Sequence, residues 1–118
     1  MEQIEVTCEM EVTLKMIGGK WKPLILEHLI RQGVQRFSQL QHRFPRVSQR
    51  TLTNQLRELE TDGLVSRTVF PQVPLRVEYE VTEKGRSLAP LLEMMCIWGA
   101  QNMDERFVLT DPQCGTAC

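Results

Sequence analysis

Apolar residues recur along the first half of the chain at helical spacing and then switch to a period of two. Met10, Leu14 and Ile17 fall four and three apart, which predicts a helix over 8–17 that stops at Gly18-Gly19. Leu24, Ile25, Leu26, Leu29 and Ile30 make residues 20–32 apolar around much of their circumference, the pattern of a central core helix. Pro23 is tolerated in its first turn, and Gly33 ends it. Ser38 is placed to cap a third helix reaching about Phe44, with Leu40 and Phe44 inward and Pro45 as its stop. Ser48 is placed to cap a fourth, running to about Asp62. Its Leu52, Leu56 and Leu59 form an i, i+4, i+7 stripe, Val47 and Leu52 suit a hydrophobic staple, and Gly63 suits a left-handed cap.

Two strands follow, over 64–70 and 76–81. Val77, Tyr79 and Val81 alternate with Arg76, Glu78 and Glu80, as a half-buried antiparallel edge would. Between them Pro71-Gln72-Val73-Pro74 is too long for a two-residue turn and reads as a stiff protruding loop. Thr82 opens a last helix lined by Leu88, Leu91, Leu92, Met95, Trp98 and Met103, with a kink or break expected at Pro90. After about Arg106 the sequence predicts a mobile tail. The expected class is mainly α with a small two-stranded antiparallel wing. The order of elements, with only Pro45-Arg46-Val47 between the third and fourth helices, is that of a winged helix-turn-helix.

At 118 residues, 42% hydrophobic and 25% charged, the chain fits one soluble domain. No apolar run approaches a membrane span, and the N-terminal residues lack the features of a signal peptide, so a cytoplasmic protein is expected. The net charge of −1 conceals an asymmetry: between Arg36 and Arg76 seven arginines stand against three acids. A basic segment on a near-neutral protein suggests a local polyanion site.

The fourth helix turns Gln49, Arg50, Thr53, Asn54 and Arg57 away from its leucines. Arginine matches guanine O6 and N7, and asparagine or glutamine matches adenine N6 and N7. Ser48, Gln49 and Arg50, at the N-terminal end, are the candidate base readers or phosphate clamps, and Arg57, two turns on, a backbone contact. Arg67 and Arg76 flank the proline loop and Gln72 lies near its tip, as in a wing that touches phosphates or a minor groove. Arg36 and Ser38, at the start of the third helix, are further phosphate candidates.

Several segments in order carry a resemblance: Cys8-Glu9-Met10-Glu11, Ile17-Gly18-Gly19-Lys20-Trp21, Arg36-Phe37-Ser38-Gln39-Leu40, the run from Leu52 to Val65, and Tyr79-Glu80-Val81-Thr82-Glu83-Lys84-Gly85-Arg86. Over residues 8–101 the chain resembles the HxlR-type bacterial winged helix-turn-helix regulators. The resemblance implies a dimeric repressor or activator that binds a double-stranded operator. It would be a single domain over 1–118, with a dimerisation helix at 8–17, a winged core at 20–81, a dimerisation helix at 82–106 and a tail at 107–118. The last helix carries two apolar faces, Leu88, Leu92 and Met95 on one and Leu91, Met94 and Trp98 on the other. One can close the core, and the second calls for a partner.

Some members of that family sense oxidants through a cysteine just before the first helix, and Cys8 matches that position. A helix N-terminus favours thiolate, whereas Glu9 and Glu11 oppose it. Cys96 reads as core, and Cys114 and Cys118 lack the further ligands zinc needs. His28 and His42 stand isolated, Gly18-Gly19-Lys20 is not a phosphate loop, and no residue set suggests catalysis. No cofactor or metal is expected, and an oxidant or small-molecule effector is left open. The competing readings are a winged-helix protein-interaction module and a cysteine-based redox or metal switch without DNA readout.

Overall fold

The computed structural model describes residues 2–110. Helix α1 (Glu9–Ile17) starts from Cys8, whose backbone N–H donates to the Glu11 carboxylate at 3.0 Å. Of its predicted stripe only Ile17 is buried, whereas Met10 and Leu14 face outward. Helix α2 (Trp21–Gln32) is the central rod, with Ile25, Leu26 and Leu29 wholly enclosed. Each such side chain contributes about 1.5–3 kcal/mol of burial free energy.

The third helix begins earlier than expected. A two-residue strand, β1 (Gln35–Arg36), leads directly into α3 (Phe37–Arg43), and Arg36 rather than Ser38 is the cap residue. Its N–H donates to the Gln39 side chain at 2.8 Å, which leaves Ser38 inside the first turn. Helix α4 (Gln49–Thr61) does begin at Ser48, whose hydroxyl accepts from Thr51 N–H at 3.1 Å. Leu52, Leu56 and Leu59 are buried beneath it. At its far end Leu64 N–H reaches Leu59 C=O and Gly63 N–H reaches Glu60 C=O, with Gly63 at φ 76°. A left-handed glycine of this kind closes a helix at little steric cost.

Strands β2 (Val65–Phe70) and β3 (Arg76–Val81) form the expected hairpin, with Val65 opposite Val81 and Phe70 opposite Arg76. The sheet has three strands rather than two, in the order β1-β3-β2, because Gln35 and Arg36 pair with Tyr79 and Glu78. The second long strand is therefore central, not an edge. Directly opposed residues share a face. Val65, Arg67 and Val69 of β2 thus lie on the face of Val77, Tyr79 and Val81.

The last helix divides. Helix α5 (Glu83–Arg86), capped by Thr82, gives way to α6 (Ala89–Gln101), and Pro90 sits in the first turn of α6. Helix α6 ends at Gln101, short of the expected 106, and packs on α2. Only its Leu92 is buried. Met95 faces solvent beside Leu91, Met94 and Trp98. Among the described residues no helix is long and apolar enough to cross a membrane.

The core joins α2, Leu40 and Phe44, the α4 leucines, and Leu64, Val65, Tyr79 and Val81 into one cluster. Phe44 is its hub, with the Trp21 ring edge-on at 6.3 Å and the His28 ring at 5.7 Å.

Candidate nucleic-acid interface

The leucine stripe of α4 faces inward, so the opposite side of the helix is presented outward without strain. Gln49, Arg50, Asn54 and Arg57 are exposed, and the first turn of α4 holds no acid. Arg50 and Asn54 have no side-chain partner among the described residues. Two other predicted readers are already engaged. The Ser48 hydroxyl caps the helix and also donates to Thr51 Oγ1 at 3.0 Å, and half-buried Thr53 donates to Gln49 C=O at 2.8 Å. Ser48 therefore shapes the N-terminal end of the helix and Thr53 offers mainly its methyl.

Two positioning contacts gave no signal in the sequence. Gln41 Nε2 donates to Val47 C=O at 2.6 Å, tying the turn before α4 to α3. Lys22, only 6% exposed, pairs with Glu58 at 3.1 Å and ties α2 to the back of α4. A buried ammonium with one carboxylate partner adds little net stability but fixes how two elements sit. Both contacts bring together residues distant in sequence or hidden in polar helix faces, so periodicity does not reveal them.

The wing differs from the expectation at its arginines. The Arg76 guanidinium lies 4.0 Å from the Phe70 ring centroid and 3.3 Å from the Glu78 carboxylate, so its charge is spent inside the hairpin. Arg67 is exposed but lies on the sheet face turned toward α4, away from the loop tip. The tip itself is uncharged: Gln72 is exposed, its N–H bonded to Phe70 C=O, and Val73 is fully exposed. Arg67 instead meets Thr53, Arg57, Glu60 and Tyr79 around a notch between α4 and the sheet. Arg36 and Ser38 are exposed at the start of α3, apart from this notch. Ser38 borders an open concavity with His28, Gln35, Gln39, His42 and Arg43.

Cys8 is an exposed free thiol at the start of α1. The Glu11 carboxylate beside it accepts from the Thr7 hydroxyl and from the backbone N–H of Thr7 and Cys8. Those bonds, that from the Thr7 hydroxyl first, hold Glu11 below the usual carboxylate range and keep it anionic. Cys96 is half-buried and disulfide-bonded, so it is not the plain core residue expected. Cys114 and Cys118 lie outside the described residues. Among the described residues no three His, Cys, Asp or Glu side chains converge as a metal site.

A family model described as HxlR-like helix-turn-helix matches residues 16–107. The HTH-type transcriptional regulator YtcD of Bacillus subtilis (strain 168) is 49% identical over 104 residues, covering 88% of this chain and 82% of YtcD. Among solved structures, the redox regulator HypR in its oxidized form is 49% identical at a TM-score of 0.75, covering 82% of this chain and 99% of that one. Diamide-treated YodB from B. subtilis is 34% identical at a TM-score of 0.67, covering 85% and 99%.

Proposed function

Because the chain belongs to the HxlR-like helix-turn-helix family and is a transcription regulator, we propose that it reads duplex DNA by laying the exposed face of α4 in a major groove. The observation that carries this reading is the unpartnered row of Gln49, Arg50 and Asn54 on a helix whose opposite face is locked into the core. These side chains match base-edge donors and acceptors. Arg36 and Ser38, at the start of α3, are assigned to flanking phosphates, and Gln72 to the outer face of a neighbouring groove. Arg57 and Arg67 add positive charge on the side of α4 that faces the sheet. Arg76 holds the wing in shape instead of touching DNA.

The protein acts as a homodimer in the cytoplasm. A second copy covers the apolar surface formed by Met10 and Leu14 of α1 and by Leu91, Met94 and Trp98 of α6, all of them exposed in a single chain. Two α4 helices then face half-sites about one helical turn, or a multiple of it, apart.

The test is fluorescence anisotropy on duplexes from the protein's own upstream DNA at several salt concentrations. Affinity should fall steeply with salt. Arg50→Ala should lose about 1–3 kcal/mol and relax base preference at one position. Binding that is absent at low salt, or an Arg50→Ala protein with unchanged preference, would refute the reading.

Cys8 is assigned the switching role. HypR has been solved as a redox regulator in an oxidized form and YodB after diamide treatment, and Cys8 is an exposed thiol on a helix that also carries the surface assigned to the partner. Cys8→Ser should bind DNA like the parent but keep its affinity under diamide. A variant that still releases DNA on oxidation removes Cys8 from this role.

A further inference from the structure

Strand β2 contains one residue that the fold does not explain. Along it Val65, Arg67 and Val69 point to the same face as Tyr79 and Val81, both buried. The alternation would allow an apolar side chain at Arg67, but the position is exposed and its charge is carried in solvent without needing a protein partner. None is present: among the described residues Arg67 makes no ion pair or hydrogen bond, and neither does Arg57 across the notch on α4. The notch they border is a cavity of about 260 Å³, lined also by Thr53, Glu60 and Tyr79. Thr53, Arg57 and Glu60 are spaced four and three apart, so one stripe of α4 faces β2.

Resting on the DNA-reading proposal, we propose that Arg57 and Arg67 jointly hold a single oxyanion in this notch, the phosphodiester of a duplex whose groove α4 enters. Two guanidinium groups and the Glu60 carboxylate sum to one positive charge, which matches a phosphodiester monoanion better than a free phosphate dianion. The Thr53 hydroxyl is committed to Gln49 C=O, so recognition falls to the guanidinium forks. Such a contact sets the depth and rotation of α4 in the groove and carries no base preference.

The test compares parent, Arg57→Gln, Arg67→Leu and the double variant for duplex affinity across salt, with thermal melts as a folding control. Each single change should weaken binding about tenfold, the loss of one charge-assisted contact. Each should also reduce the slope of log K against log salt by about 0.9, the value for one phosphate. The double variant should be no worse than either single one, because both arginines serve the same phosphate. A slope change of about 1.8 in the double variant means two separate phosphates and overturns the shared site. So does an Arg67→Leu protein that binds normally but aggregates, since the charge would then only guard an edge strand. If Arg67→Leu does not fold, Arg67→Lys, which keeps the charge without the fork, should still lose affinity.

A second arm needs no DNA. Dimethyl phosphate and inorganic phosphate are titrated separately against ¹⁵N-labelled protein, following the arginine Nε–H resonances. Those of Arg57 and Arg67 should move together with the diester, and Arg67→Leu should abolish the movement at Arg57. Stronger movement with inorganic phosphate reassigns the site to a free anion and overturns the duplex assignment. No movement, or independent movement, overturns the site itself. If the parent binds no duplex, the DNA reading fails while this titration still decides the oxyanion site.

Discussion

His28 is a buried imidazole at the contact between α2 and α3, edge-on to Phe44, with Nδ1 lacking a hydrogen-bond partner among the described residues. Burial lowers its pKa. A hydrogen bond that the imidazole donates to Gln35 opposes the shift, and Arg43 and Arg31 reinforce it. The folded state thus keeps His28 neutral, whereas the unfolded chain takes up a proton near pH 6.5. Stability from this residue is complete above that value and is lost as pH falls below it toward the folded pKa. Melting temperature should drop between pH 7.5 and 5.5, and His28→Gln should flatten that drop. An identical pH profile in the variant would assign the loss to other groups. Residue chemistry of this kind was only partly legible in the sequence. The outward choice of Gln49, Arg50 and Asn54 followed from the leucine spacing alone. The internal use of Arg76 did not, because it depends on Phe70 and Glu78 arriving beside it through hairpin register.

Among the elements, the helices with a full apolar stripe were readable, and those with a short or split pattern were not. Strand β1 is two residues long and has no period to detect. The stripe of α1 was visible, but a stripe records that a face is apolar and not what covers it, so spacing alone did not separate buried Ile17 from exposed Met10 and Leu14. The break between α5 and α6 was signalled by Pro90, although its position was not. Gly85 explains why these elements meet closely: a Cβ there would lie 2.2 Å from Leu64 O and 2.7 Å from Val81 Cγ2. Gly85→Ala should therefore cost about 1–3 kcal/mol in urea denaturation, the usual price of overpacking. A stability loss below a few tenths of that range would mean that α5 slides freely on the sheet.

In the molecule as a whole, α6 leaves a run of apolar side chains exposed, with Trp98 66% and Met94 61% accessible. Trp98→Glu should shift the protein from dimer to monomer in light scattering and weaken duplex binding by removing the second half-site. A variant that stays dimeric would place the interface elsewhere. The contacts around Gly63 join the end of α4 to α5, which leads into α6. Thr82 Oγ1 donates to Gly63 C=O at 2.6 Å, Lys84 Nζ donates to Asp62 C=O at 2.8 Å, and Thr82 N–H donates to Leu64 C=O at 3.0 Å. These bonds splice the end of α4 to the root of α5 on both sides of the hairpin. In the proposed dimer this knuckle would hold each α4 to its α5, and the two rods would work like the points of a pair of calipers. A small change of angle where the copies meet would then change the span between the points, and a rigid operator would no longer fit.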